Sequence, residues 1–284
     1  KYFQKLLVEN EEKHFIRALI LEFSMYEDSF EDLSLLKSIH TLQITGRNFR
    51  ASHLQSIEEI HTLKLNVNTI HPGSLFHLKL HSLDITTNEF PNEFILPKGI
   101  HTLKFKKFHN SNHSCSFLEN LKGTNTLEIS GVHSLTDEDL VHLQDVQTLK
   151  IDYCNGITDK GFKHLKGIHT LEISDLNLIT DDALVHLQGI CELKISHCSK
   201  ITGEGFKHLN GIKKVEMSGL PLLTDETLAH LQDVHTLMIM GCRNITGEGF
   251  DYLKGICKLK LSGLSSLTDE SFVHLQGIHT LKIW

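Results

Sequence analysis

The sequence carries no excess of positive charge. Its 28 lysines and arginines stand against 35 aspartates and glutamates, a formal net charge of −7. That balance lacks the basic footprint of a nucleic-acid-binding surface or of an anchor to anionic lipid, so neither partner is expected. No run of about 18 apolar residues is present, so no helix written here spans a bilayer. The six cysteines form no C-x-x-C pair and no closely spaced even framework. No glycine-rich phosphate loop, nucleophile elbow or paired-carboxylate arrangement stands out, which argues against an enzyme: no catalytic residue and no cofactor is expected. No charged-then-apolar leader follows Lys1, so localisation has to be read from other features.

What the sequence does have is itself, many times over. Its 284 residues, 40% apolar and 22% charged, would suggest roughly two ordinary domains by length alone. But ITDKGFKHLKGIHTLEIS at 157–174 returns 44 residues later as ITGEGFKHLNGIKKVEMS at 201–218. Aligned on Thr-Leu pairs and their variants at 41, 62, 82, 102, 126, 148, 170, 192, 214, 236, 258 and 280, the steps are 21, 20, 20 and 24, then 22 seven times. Leu21-Glu22-Phe23, placed 21 residues before Leu42-Gln43-Ile44, adds an earlier copy and brings the total to about thirteen. A fixed period in the low twenties is the signature of a solenoid and overrides the count by length.

Each repeat has a physical reading. In Leu171-Glu172-Ile173 apolar and polar residues alternate, the period of a strand with one buried face. In Thr180-Asp181-Asp182 the Thr is placed to cap a short helix, with the carboxylates at the positive end of its dipole. The same reading makes Thr136, Thr158, Thr202, Thr224, Thr246 and Thr268 caps. Leu184, Leu187 and Ile190 then form one apolar stripe. Neither so short a strand nor so short a helix buries its apolar side alone, so each repeat must lean on its neighbours.

The stretch LKIDYCNGITDKGFKHL at 149–165 resembles the leucine-rich repeat, L-x-L-x-x-N/C-x-L/I. Its Cys followed by Ile-Thr-Asp is similar to the cysteine-containing class found in F-box leucine-rich-repeat proteins. The near-identical copies are also similar to multiplied leucine-rich-repeat proteins of protists and giant viruses. The resemblance implies an α/β solenoid, a horseshoe with a parallel sheet on the concave face and short helices on the convex face. The expected organisation is an N-terminal helix or cap over 1–18 and the solenoid over 19–284, irregular to about 126 and regular after. Residues 1–18 contain nothing like an F-box.

The columns of the repeat sort the candidate chemistry. Cys154, Cys198 and Cys242 recur every 44 residues, with Val132, Leu176, Leu220 and Leu264 in the same column between them, so the duplicating unit is a pair of repeats. A Cys there can bond loop backbone through its thiol, and the three are read as structural. His40, His61, His81 and His101 share a column before the strand, continued by His169, Cys191, His235, Cys257 and His279. Strands about 4.8 Å apart string such residues in a row, whereas zinc needs three or four ligands converging on one point. The column is read as a polar strand-edge ladder with no metal; metal binding or pH sensing are the alternatives. Six structural thiols suit a reducing compartment, and the expected localisation is cytoplasmic. The sequons at Asn112 and Asn244 pull the other way.

Binding is therefore sought on the sheet. The exposed position between the two buried strand residues reads Gln43, Lys64, Asp84, Lys104, Glu128, Lys150, Glu172, Lys194, Glu216, Met238, Lys260, Lys282. From Asp84 to Glu216 the sign flips at every step, a face that neutralises itself. The alternation breaks at Met238, with Met240 on the same face and Lys214 and Lys258 on the flanking strands. These four residues are the expected partner-binding site. The irregular segment at 104–117, with Lys104, Lys106, Lys107 and Phe108, is the secondary candidate. The function so read is a protein–protein interaction scaffold binding a partner on the concave face. The alternative is the substrate-recognition part of an F-box-type ubiquitin ligase subunit whose F-box is not in this chain.

Overall fold

The computed structural model describes residues 18–22, 39–46, 54, 57, 60–89, 91, 93–107, 115–275 and 277–284. The expected N-terminal helix or cap over 1–18 lies outside the described residues except for Ala18. The chain forms two compact units, Lys1–Gly131 and Val132–Trp284. The first contains β1 (Ala18–Glu22), β2 (Thr41–Gly46), β3 (Thr62–Thr69), β4 (Ser82–Glu89), β5 (Thr102–Lys107) and β6 (Thr126–Ser130). The second contains β7 (Thr148–Asp152), β8 (Thr170–Ser174), β9 (Glu192–Ser196), β10 (Lys214–Ser218), β11 (Thr236–Met240), β12 (Lys258–Ser262) and β13 (Thr280–Ile283). The strands follow chain order in one thirteen-stranded sheet. Every described pairing is parallel, as a chain that repeats one step in one direction requires.

Alternation decides which face is buried. Leu171 and Ile173 of β8 are fully buried while Thr170, Glu172 and Ser174 keep partial exposure. Leu184, Leu187, Ile190 and, in alternate repeats, Phe162, Phe206 and Phe250 close over the buried row. Strand entry is fixed by the column before it: the His40 carbonyl accepts from the N–H groups of both His61 and Thr62, and the His61, His81 and His101 carbonyls repeat the arrangement. The rings of His40 and His61 stack at 5.2 Å and those of His81 and His101 at 4.9 Å.

One feature refines the sequence reading and one differs from it. The short helices expected opposite the sheet are of the 3-10 type, as at Asp181–His186 and Asp225–Leu231. The Leu187 N–H donates to the Leu184 carbonyl and the Ile190 N–H to the Leu187 carbonyl. The three-residue spacing of those apolar residues is the 3-10 period itself, and the 2.0 Å rise of that helix covers a short repeat with fewer residues. The first copy is also paired two residues away from its expected register: Leu19 lies opposite Leu42 and Leu21 opposite Ile44. A shift of two leaves the same side chains facing inward, so alternation alone does not distinguish the two registers.

What joins one repeat of the second unit to the next is a carboxylate. Asp137 accepts from the Thr158 N–H (2.8 Å) and hydroxyl (2.6 Å), and Asp159 accepts from the Thr180 N–H (2.7 Å) and hydroxyl (2.8 Å). Asp181 accepts from the N–H and hydroxyl of Thr202 and from the N–H groups of Gly203 and Gly205. Asp225 does the same for Thr246, Gly247 and Gly249. Gly203 and Gly247 occupy the Asp column in the two remaining repeats, at φ of +102° and +93°. There the seal runs in reverse: the Thr227 hydroxyl donates to the Thr202 carbonyl, and the Ser271 hydroxyl to the Thr246 carbonyl. A Cβ on Gly203 would lie 2.2 Å from Thr227 Oγ1, and one on Gly247 2.5 Å from Ser271 Cβ, so the glycine makes room for the hydroxyl.

The threonines expected as caps therefore do different jobs. Thr158 and Thr180 accept from the N–H groups of Lys160 and Asp182 while donating to the preceding repeat. Thr136 turns to Asp139 of its own repeat, and the Thr224 hydroxyl donates to Glu226. Burial works to raise the Asp181 carboxyl pKa, but the hydrogen bonds from Gly205, Thr202 and Gly203 outweigh it and hold it below the ordinary value of 3.8.

Replacing Asp181 by Ala leaves the Gly203 and Gly205 N–H groups without their acceptor and should lower unfolding free energy by about 2 kcal/mol in denaturant titration. Thr180→Ala should cost about 1 kcal/mol and Thr224→Ala less, because only the first breaks a bond between repeats. A group with a lowered folded pKa stabilises above its unfolded pKa, so the Asp181→Ala deficit should be full at neutral pH. It should shrink as the pH falls below about 4, through the lowered folded value.

Candidate functional site

The open face of the sheet carries the alternating charges as ion pairs. In the first unit Lys64 lies 3.8 Å from Asp84, and Glu128 receives both Lys104 (3.0 Å) and Lys106 (3.4 Å). In the second, Glu172 sits between Lys150 (3.0 Å) and Lys194 (2.9 Å), and Lys214 between Glu192 (3.6 Å) and Glu216 (2.9 Å). Burial works to raise the Glu172 pKa, but its bonds to Lys194 and Lys150 bring it below the usual carboxylate value. The bond to Glu216 raises the Lys214 pKa against a smaller opposing effect of burial. A depression of about 300 Å³ lies here, walled by Thr170, Glu172, Glu192, Lys194, Lys214 and Glu216.

The four residues expected to bind a partner fall on neighbouring strands. Lys214 of β10 is opposite Thr236 of β11, which is opposite Lys258 of β12, while Met238 is opposite Lys260 and Met240 opposite Ser262. Met238 and Met240 are half-buried on this face, flanking the fully buried Ile239. Lys214 is engaged by two glutamates. Lys258, Lys260 and Lys282 make no ion pair among the described residues. The signal for Lys260 and Lys282 was in the sequence: after Glu216 the row contains no further acid.

The secondary candidate is divided. Lys104 and Lys106 are tied to Glu128 on the open face. Lys107 is buried, and that burial lowers its pKa. Phe108 lies outside the described residues, as does the rest of 108–114.

The cysteine column is buried in the turn after the strand. The thiols of Cys154, Cys198 and Cys242 donate to the carbonyls of Asp152 (3.4 Å), Ser196 (3.3 Å) and Met240 (3.5 Å). Burial pushes the Cys198 thiol up to about 11 and raises Cys242, partly offset by N–H groups of the preceding repeat at Leu176 and Leu220. All six cysteines are free thiols. Among the described residues no three His, Cys, Asp or Glu side chains are grouped to hold a metal ion. No described helix is long and apolar enough to cross a membrane.

No family model matches the chain, and no curated protein sequence matches it. Solved structures do match. An internalin, inlF of Listeria monocytogenes, superposes with a TM-score of 0.57 at 18% identity over 98% of this chain and 88% of its own. The structure of the Rad7 and Elc1 complex in yeast gives 0.55 at 15% identity over 76% of this chain and 66% of the matched one. The Toll–Spatzle complex of Drosophila gives 0.56 at 16% identity over 94% of this chain, which spans 40% of the matched one. With thirteen parallel strands in sequence order and, from β5 onward, a short helix between successive strands, the fold is a leucine-rich-repeat solenoid of about thirteen repeats.

Burial and a backbone acceptor should slow the reaction of the cysteine-column thiols. A thiol reagent should label Cys154, Cys198 and Cys242 slowly in the native protein and fast in denaturant, with Cys191 and Cys257, which are partly exposed, labelled first. Rapid native labelling of the column would contradict the buried, hydrogen-bonded thiols.

Proposed function

We propose that the chain is a protein-interaction scaffold, holding a partner protein on the open sheet face that the sequence reading takes as concave. The observation that carries this reading is the change of chemistry at β11. Seven described charge pairs on the open face satisfy one another, and Met238 and Met240 then stand where β2 to β10 place charged or polar residues. Two thioethers offer adaptable apolar contact, with Lys214 and Lys258 on the strands either side. The structures of Rad7 with Elc1 and of Toll with Spatzle are complexes with other proteins, which supports a protein as the ligand class. Six free thiols suit a reducing compartment, consistent with a cytoplasmic scaffold.

The F-box reading rests on the cysteine column of the repeat, and the full-length coding sequence tests it: an F-box upstream of Lys1 makes this chain the substrate-recognition part of a ligase subunit. For the scaffold itself, Met238→Ser with Met240→Ser restores the usual polarity of the face and leaves the buried Leu237 and Ile239 untouched. Thermal unfolding should stay at the wild-type temperature. Affinity for a partner recovered with the wild-type chain should fall at least tenfold, about 1.4 kcal/mol. Undiminished binding by the double variant would move the site elsewhere, with Lys104 and Lys106 next to be tested.

A further inference from the structure

The charge pairing of the second unit stops at one strand boundary. Up to β10 the middle row of the open face alternates Lys150, Glu172, Lys194 and Glu216, and Glu192 faces Lys214 in the row beside it. From β11 onward the face carries Thr236, Met238 and Met240, then Lys258, Lys260 and Ser262, then Thr280 and Lys282. Lys260 is in register with Lys282 on the next strand, and Lys258 with Thr280. Adjacent strands lie about 4.8 Å apart, so two ammonium groups stand on neighbouring rungs with no carboxylate between them. Like charges directly opposite destabilise a sheet, and every other described neighbouring pair of charges in this row is of opposite sign. The nearest acid along the row, Glu216, is held by Lys214 at 2.9 Å.

Resting on the open-face reading above, we infer that the partner is an acidic protein segment. Its carboxylates meet Lys258, Lys260 and Lys282, while an apolar side chain of the segment packs on Met238 and Met240. Charge complementarity selects this occupant: the site supplies three cations and no anion, so the carboxylates of an acidic ligand offset the Lys260–Lys282 repulsion. The Met pair next to the lysines adds apolar contact that a purely ionic site lacks. A nucleic acid fits less well, since three lysines and the exposed Trp284, with no arginine among them, make a small footprint on a chain of net charge −7. A sheet face likewise offers no protruding amphipathic helix for a lipid surface.

The test is selection from a random dodecapeptide display library on the immobilised wild-type chain, followed by fluorescence anisotropy of the enriched peptides. The expected result is enrichment of Asp- and Glu-rich peptides containing an apolar residue, bound at least tenfold more weakly by Lys260→Gln/Lys282→Gln and in high salt. The charge-reversed Lys260→Glu/Lys282→Glu chain, checked for folding by circular dichroism, should stop selecting acidic peptides. Uncharged peptides that ignore the lysine variants but lose binding with Met238→Ser/Met240→Ser would overturn the acidic partner and keep the binding face. No enrichment, or binding indifferent to all variants, would overturn both. Preference for poly(U) RNA or phosphatidylserine vesicles over the acidic peptides would also overturn it.

Discussion

A carboxylate reaching one repeat forward is the interaction on which the second unit depends. A strand of five residues and a two-turn 3-10 helix bury little on their own, and the turn between them exposes N–H groups that the repeat cannot satisfy internally. Asp181 accepts four hydrogen bonds from Thr202, Gly203 and Gly205, so the turn of one repeat is completed by its predecessor. Hydrophobic contact between neighbours is broad and tolerant of sliding. The two-oxygen geometry of the carboxylate is not, and it fixes the step at 22 residues as firmly as the strand ladder does.

Much of this was legible in the sequence, because a repeat supplies its own alignment. Leu-x-Leu spacing placed β2 to β13 and the charge row, and the Cys column marked the two-repeat alternation. Three things were hidden for physical reasons. Asp181 was read as a partner of its own helix dipole, since a window along the chain does not reveal a hydrogen-bond partner 21 residues on. Leu19 and Leu21 were misregistered because a shift of two preserves the buried face. The apolar triplet Leu184, Leu187 and Ile190 was taken for a short helix of unspecified type, although its three-residue step is the 3-10 period.

The candidate site was legible in part. Met238 and Met240 were found because they interrupt a pattern, whereas Lys214 was chosen by its departure from Thr. Side-chain geometry shows Lys214 already held between two glutamates, something a column of letters does not display. Lys260 and Lys282 conform to the identity of their column and violate only its alternation. A rule about neighbours finds them where a rule about residue types does not.

The two ways of sealing adjacent repeats also constrain how such a chain changes length. An Asp in one repeat faces a Gly in the next, as at Asp137 with Gly161 and Asp225 with Gly249, where an added Cβ would lie 2.5 Å from Asp137 Oδ1 and 2.6 Å from the Asp225 carbonyl oxygen, while Gly203 and Gly247 make room for the hydroxyls of Thr227 and Ser271. Removing the single repeat between Asp181 and Thr227 would bring that carboxylate against a side chain built to meet a glycine. Removing two repeats together restores a matched junction. Beyond Asp181 the column alternates as Gly203, Asp225, Gly247 and Asp269, so recombination that lengthens or shortens that part of the array is tolerated in multiples of 44 residues.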